Sequence, residues 1–162
     1  MGYDPLSVSE EQFTTSSIIE EVRPNSTPYL RLKLALDVKK LKIYTPSIGS
    51  LEKVKEVSYE VGDLAVLSKA DRDVLAVALD LSRNGFSPQL VSDDYAIQNI
   101  AECLNIKYVS LTTSGIRYQF RWILYCPACK RRYSPAIKET VCEICGTKLK
   151  RKVLRKRVVR DK

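Results

Sequence analysis

A chain of 162 residues with 44% hydrophobic residues, 6 glycines and 7 prolines can fold one ordinary domain plus a small metal-stapled one. This composition excludes collagen-like and low-complexity chains, and no apolar run approaches the length of a membrane span. The net charge of +8 is unevenly spread, because residues 1–100 hold 11 Lys and Arg against 15 Asp and Glu, whereas residues 101–162 hold 16 against 4.

In chain order, FTTSSIIEEV predicts a helix with Thr15 or Ser16 as N-cap and its acids in the first turns. TPYLRLKLALDVKKL is ambiguous, since Leu30, Leu32, Leu34 and Leu36 alternate as in a strand. Its length and its strong helix formers favour a helix. LKIYTPS reads as a short buried strand stopped by Pro46. SLEKVKEVSYEVG reads as an amphipathic helix, with Leu51, Val54 and Val61 on one face and Gly62 at its end. LSKADRDVLAVALDLSRNG gives the clearest helix, with Ser68 as N-cap, Asp71 in the capping-box position and Asn84-Gly85 closing it. Gln89 to Val91 then reads as a strand running into a helix capped by Ser92, and IKYVSLTT as another strand. Alternating strands and helices predict an α/β fold with a parallel sheet, whose ligands bind outside the carboxyl ends of the strands. That rule singles out Asp93 and Asp94.

Three acids are expected at the N-terminal edges of helices: Glu21, Asp71 and Asp94. Acids there complement the helix dipole or cap the helix, and either role would suffice to explain them singly. Together, in a chain without histidine, they suit Mg2+ or Mn2+, which take hard oxygen ligands and serve phosphodiester hydrolysis. Asp93 is a neighbouring candidate for the same divalent metal.

Cys126, Cys129, Cys142 and Cys145 read C-x2-C-x12-C-x2-C. Two residues between cysteines let a tight turn aim both sulfurs at one ion, and two such knuckles make the closed tetrahedral site of structural Zn2+. Gly146, directly after Cys145, suits the turn. Two disulfides or a redox pair are the competing readings. An odd fifth cysteine, the lack of a signal peptide and 28% charged residues weigh against disulfides and suit a cytoplasmic protein. Neither pair opens a helix of a βαβ unit, as a redox motif would. Cys103 lies in an apolar helical pattern and reads as core. Lys130, Arg131 and Arg132 follow the first knuckle, and nine basic residues lie between Lys148 and Lys162, among them Lys150, Arg151 and Lys152. Beside a ribbon, such a cluster points to a phosphate backbone, though a solvated tail is the bland alternative.

The run TTSSIIEEV, then LSKADRDVLAVALDL, then VSDDYAIQNIAECLNIKYVSL, followed by the four-cysteine ribbon and the basic tail, resembles a known family. This is the family of PIN-domain plus zinc-ribbon endoribonucleases that mature the 3′ end of small-subunit ribosomal RNA, and the resemblance covers nearly the whole chain. It implies a PIN-like domain over residues 1–115, a connector over 116–125, the ribbon over 126–150 and a basic tail over 151–162. It also implies metal-dependent cleavage of single-stranded RNA with Glu21, Asp71 and Asp94 as the matching acids. The partners implied are small-subunit ribosomal RNA, the pre-small ribosomal subunit and a ribosome-assembly RNA-binding protein, with no membrane. PIN domains open with an apolar strand ending in an Asp, and MGYDPLSVSEEQF holds none. The sheet is therefore expected to lack its first strand, with Asp4 in the loop that follows. A non-catalytic RNA- or pre-ribosome-binding module with a degenerate or truncated PIN domain is the alternative reading, and a toxin-type PIN nuclease a third.

Overall fold

The computed structural model describes residues 5–112, 115–135, 137 and 139–159. Asp4 and the last three residues of the basic tail lie outside them. The elements are β1 (Gln12–Thr14), α1 (Ser16–Glu21), α2 (Thr27–Asp37), β2 (Leu41–Ile43), α3 (Ile48–Val61), α4 (Lys69–Arg83), β3 (Gln89–Val91), α5 (Tyr95–Cys103), β4 (Lys107–Val109), β5 (Tyr118–Tyr125), β6 (Arg132–Tyr133) and β7 (Lys150–Val158).

Helix α4 is the axis of the first half. The Ser68 hydroxyl accepts from the Asp71 amide at 3.1 Å and the Asp71 carboxylate accepts from the Ser68 amide at 2.7 Å, so both halves of the capping box form. Its apolar stripe buries Leu75, Ala76 and Ala78 against Val54, Val57 and Val61 of α3 and Ile97, Ile100 and Ala101 of α5. Full burial of a side chain such as Leu75 contributes about 2 kcal/mol. Helix α3 is anchored at its start by Asp80 of α4, whose carboxylate accepts from the Ser47 amide (2.7 Å), the Ser47 hydroxyl (2.7 Å) and the Ser50 hydroxyl (2.6 Å).

Burial opposes the charge on Asp80, but the bonds from Ser47 and Ser50, with Arg83 nearby, outweigh it and hold the carboxyl below its ordinary range. A depressed folded value contributes stability that is present above the unfolded carboxylate range, about 3.9, and is lost as pH falls through the folded value. Asp80→Ala is therefore expected to cost about 2 kcal/mol at neutral pH, because three donors lose their acceptor. Urea unfolding at pH 7 and near pH 3 checks this, and the gap between wild type and variant should be narrower at the acid end.

The parallel pairing expected of an α/β fold is present, in two separate pieces: β1 with β2, and β3 with β4. Strands β1 and β3 both rest on α4, while β2 leans on α2 and β4 on α5. The inner strands β1 and β3 thus share a helix without sharing hydrogen bonds among the described residues.

Several sequence expectations differ in detail. Strand β1 had no sequence signal, since QFT is three residues long. Helix α1 starts at the expected cap, Thr15, but spans only six residues, so Glu20 and Glu21 end it instead of opening it. The cause is Pro24, which disfavours helical geometry at Arg23 and stops the helix within two turns of its start. Strand β2 was expected to be buried; it lies at the edge of its pair, with Ile43 52% exposed. Helix propensity decided α2, of which Ala35 alone is buried. Helix α5 is capped by Asp94 and not by Ser92, because the Ser92 hydroxyl turns to the Asp94 amide and the Asp94 carboxylate takes the Ala96 amide at 2.6 Å.

The largest difference lies at the C-terminal end. The segments expected as connector and tail are paired antiparallel strands, Tyr118–Tyr125 against Lys150–Val158, with a bulge between Arg121 and Trp122. With β6 they form one three-stranded sheet that carries the cysteine knuckles at its end.

Candidate functional site

The four cysteines of the knuckles come together. All four are free thiols, and their sulfurs lie within 4.8 Å of one another, with Cys126 to Cys145 at 3.4 Å and Cys129 to Cys142 at 3.5 Å. Tetrahedral coordination with metal–sulfur bonds of about 2.3 Å needs sulfurs about 3.8 Å apart, so the donor set fits a four-thiolate metal site of zinc-ribbon type. Each knuckle closes in the same way. The Lys130 amide donates to Cys126 O (3.0 Å) and the Gly146 amide to Cys142 O (2.8 Å). The residue after each second cysteine takes left-handed geometry, φ 64° at Lys130 and 67° at Gly146.

Beside the cluster, the Tyr133 hydroxyl lies 2.9 Å from Cys142 Sγ. This contact, reinforced by the amides of Cys145 and Ile144, pulls the Cys142 thiol down to about 6 against the effect of burial, and it pushes Tyr133 up to about 12. The phenol keeps its proton and donates it to a thiolate, the ligand form a metal requires. The order of residues gave no hint of this partner. Tyr133→Phe is expected to weaken metal binding by about ten- to a hundredfold without changing the fold, measured by competition with a chromogenic chelator.

The acids are placed differently. Asp94 sits just beyond the carboxyl end of β3, exposed, and spends one carboxylate oxygen on its cap. Asp71 likewise commits one oxygen to the Ser68 amide. Exposed Glu21 ends α1. Among the described residues, only the cysteines bring three or more metal-ligating groups within sharing distance, so the structure does not gather Glu21, Asp71 and Asp94 around one point. Asp93 has a structural task instead. It accepts from the Ser110 hydroxyl, the Leu111 amide (2.9 Å), the Thr112 amide (3.0 Å) and the Thr112 hydroxyl (2.8 Å). These donors, Ser110 first, hold its carboxyl well below the usual range and pin the exit of β4 beside the exit of β3. Asp73, which sequence reasoning passed over, takes the Ser17 hydroxyl at 2.6 Å and ties α4 to α1.

The basic candidates are all exposed. Lys130 and Arg131 lie at the first knuckle, Arg132 is in β6, and Lys150, Arg151 and Lys152 open β7. Arg131 has a loose partner in Glu143 at 3.8 Å. Arg151 has a second role, since its guanidinium donates to Asp63 Oδ1 at 2.6 Å and to Gly62 O at 3.0 Å.

Buried Asp63 in turn takes Asn99 Nδ2 at 2.7 Å, and the Asn99 amide exchanges two 3.0 Å bonds with the backbone of Phe120. Asn99 therefore acts as a one-residue strand neighbour on the side of β5 that faces away from β7. The close fit continues at Gly62, where an added Cβ would stand 2.9 Å from Pro135 Cβ and 3.0 Å from Trp122 Cβ. These contacts dock the sheet that bears the knuckles against the end of α3 and the middle of α5.

Comparison with known proteins agrees with this two-part build. The family described as "PIN domain of ribonuclease" matches residues 4–81. Endoribonuclease Nob1 of Methanocaldococcus jannaschii is 38% identical over 157 residues, covering 97% of the chain and 75% of that relative. Endoribonuclease Nob1 of Methanothermobacter thermautotrophicus is 36% identical over 151 residues, covering 93% of the chain and 86% of the relative. Ribonuclease VapC1 of Thermoplasma acidophilum is 35% identical over 136 residues, 84% of the chain and 65% of the relative. No helix among the described residues is long and apolar enough to cross a membrane. With a PIN match in the first half, a four-thiol cluster in the second and Nob1 relatives aligned across both, the chain belongs to the Nob1 family of PIN-domain endoribonucleases.

Proposed function

We propose that the chain is a divalent-metal-dependent endoribonuclease that cuts precursor small-subunit ribosomal RNA at its 3′ end during ribosome assembly. The observation that supports this most is the chain-long identity to Nob1 relatives, which spans the acid-bearing and the cysteine-bearing halves together. Glu21, Asp71 and Asp94 are the proposed catalytic acids, and Asp71 and Asp94 each keep a second carboxylate oxygen beyond the one used in capping. Such all-oxygen donors fit Mg2+ or Mn2+. When bound, a divalent ion supplies an activated water and offsets charge on the leaving oxygen. Asp71 and Asp94 would hold negative charge at the starts of α4 and α5 and Glu21 at the end of α1, and no lysine pairs with any of them among the described residues.

Zn2+ is the proposed occupant of the four thiols. Its role is structural, because four protein ligands leave no open position for water. Exposed Lys130, Arg131, Arg132, Lys150 and Lys152 would meet phosphates, and Arg151 would do so from its position over the docking contacts. The proposed partners are the pre-small ribosomal subunit and a ribosome-assembly protein bound to it, and the proposed location is the cytoplasm.

A second reading has one observation in its favour. Asp71 and Asp94 both serve as caps and the acids do not converge, as in a binding module that retains the scaffold without the chemistry. Incubating the chain with a single-stranded RNA spanning the precursor 3′ end, with Mn2+ added or omitted, separates the two. Metal-dependent cutting at one position supports the nuclease, and tight binding without any cutting favours the module.

A further inference from the structure

Strand β5 carries three large rings that neither the metal cluster nor the acids require. Tyr118, Phe120 and Trp122 alternate along the strand and so project from one face, with ring centroids 6.3 Å and 5.5 Å apart. They are only half-buried, and instead of closing on a core they line a cavity of about 620 Å3. The opposite wall is the start of α5, where Tyr95 stands 56% exposed.

The rim is cationic. Arg117 and Arg151 line the cavity, Arg151 with its guanidinium 4.5 Å from the Trp122 ring centre and paired to buried Asp63, and the Lys156 ammonium sits just outside it, 3.4 Å from the ring centre of Tyr118. Aromatic rings in a groove edged by cations are the chemistry that single-stranded nucleic acid selects. Bases stack on the rings, and the backbone lies along the charges.

We infer that this cavity takes an unpaired nucleobase of single-stranded RNA, stacked between Tyr95 and the Tyr118–Phe120–Trp122 ladder, with the adjoining phosphates on Arg117 and Lys156. The site deepens the RNA-cleaving function proposed for the chain and rests on it for the identity of the nucleic acid. A duplex keeps its bases stacked on each other and offers the cavity none, so the site selects unpaired RNA over helical RNA independently of the cleavage chemistry.

Trp122 is the chain's single tryptophan, so its emission reports on the ladder directly. The test titrates the full zinc-loaded chain, without Mn2+ or Mg2+, with three probes: a single-stranded oligoribonucleotide, the duplex of the same sequence, and inorganic polyphosphate. The single strand should quench Trp122 and the other two should not. Tyr95→Ala, at an exposed position, and Tyr118→Leu, which keeps apolar bulk, should each weaken single-strand binding by about five- to a hundredfold and leave duplex and polyphosphate binding unchanged. Unchanged single-strand affinity in both variants, or equal quenching by polyphosphate, overturns the site. Cleavage plays no part in this readout. A chain that stacks RNA but never cuts it refutes the nuclease alone, and a chain that cuts normally with both variants bound as tightly as wild type refutes the stacking site alone.

Discussion

Replacing Cys142 by serine is expected to empty the metal site and unfold the knuckle end of the sheet while leaving α3, α4 and α5 folded. Cys142 is 2% exposed, its sulfur lies 3.5 Å from that of Cys129 and 2.9 Å from the Tyr133 hydroxyl, and its amide donates to Thr147 O at 2.8 Å. The apolar support around the cluster is small: buried Cys126, Cys142 and Leu149, with Leu124, Tyr133 and Ile137 packed beside them. A core of that size cannot hold a fold, whereas structural zinc binding is worth about 10–16 kcal/mol. The helical core does not depend on it, since its own buried cluster runs from Val54 to Ile106 through α4 and α5. Zinc content by atomic spectroscopy should fall to background. Limited proteolysis should cut within residues 126–150 while the helical signal in circular dichroism persists. Full zinc retention by the variant would refute the assignment of Cys142 as a ligand.

The second large effect is on rate. Asp94→Asn is expected to lower RNA cleavage by about a thousandfold or more, on the scale of several kcal/mol that a metal-bound transition state loses with a charged ligand. The choice of asparagine separates two roles. Asparagine caps a helix about as well as aspartate, so the 2.6 Å bond to the Ala96 amide survives and α5 stays in place. Only the negative charge is removed. If Asp94 were a cap and nothing more, the variant would cut at the wild-type rate with an unchanged unfolding midpoint. Loss of cutting at unchanged stability and unchanged RNA affinity assigns the carboxylate to chemistry. Measuring single-turnover cleavage beside thermal unfolding decides between them.

Local signals in the sequence carried a good part of this structure. The two-residue spacing of each cysteine pair led directly to four converging sulfurs, because a turn that short leaves few directions for the side chains. Helix α4 was legible from end to end, since its cap, its box and its 3.6-residue apolar stripe all agree. Strand β7 was not legible. KRKVLRKRV is exposed along its whole length, and hydrophobic alternation, the usual strand signal, is absent where neither face is covered. Its partner YQFRWILY opens with rings alternating with polar residues, which is the signal of a strand with one aromatic face.

Glu21 was expected near the start of its helix, and it stands at the end, because the helix stops at Glu21, three residues before Pro24. The Asp63–Asn99–Phe120 contacts join residues 36 and 21 apart in sequence, and no local pattern encodes that distance. The acids illustrate the converse case. Asp71 and Asp94 were singled out with capping as the competing explanation, and the caps are formed.

Strand β7 also bears on how copies of the protein behave toward one another. It is a nine-residue strand at the edge of its sheet, exposed throughout, and an edge of that length is a ready template for pairing with another molecule. Six of its nine residues are Lys or Arg, so two such edges repel before their backbones can meet. That protection is electrostatic and has a range of about 10 Å at 0.1 M salt. Concentrated salt, or an excess of a short polyanion that neutralises the strand, removes it, leaving Val153, Leu154 and Val158 on an uncharged edge. Self-association of the protein is thus expected to rise with ionic strength, because the row of charge proposed to meet phosphates also keeps one edge from pairing with another.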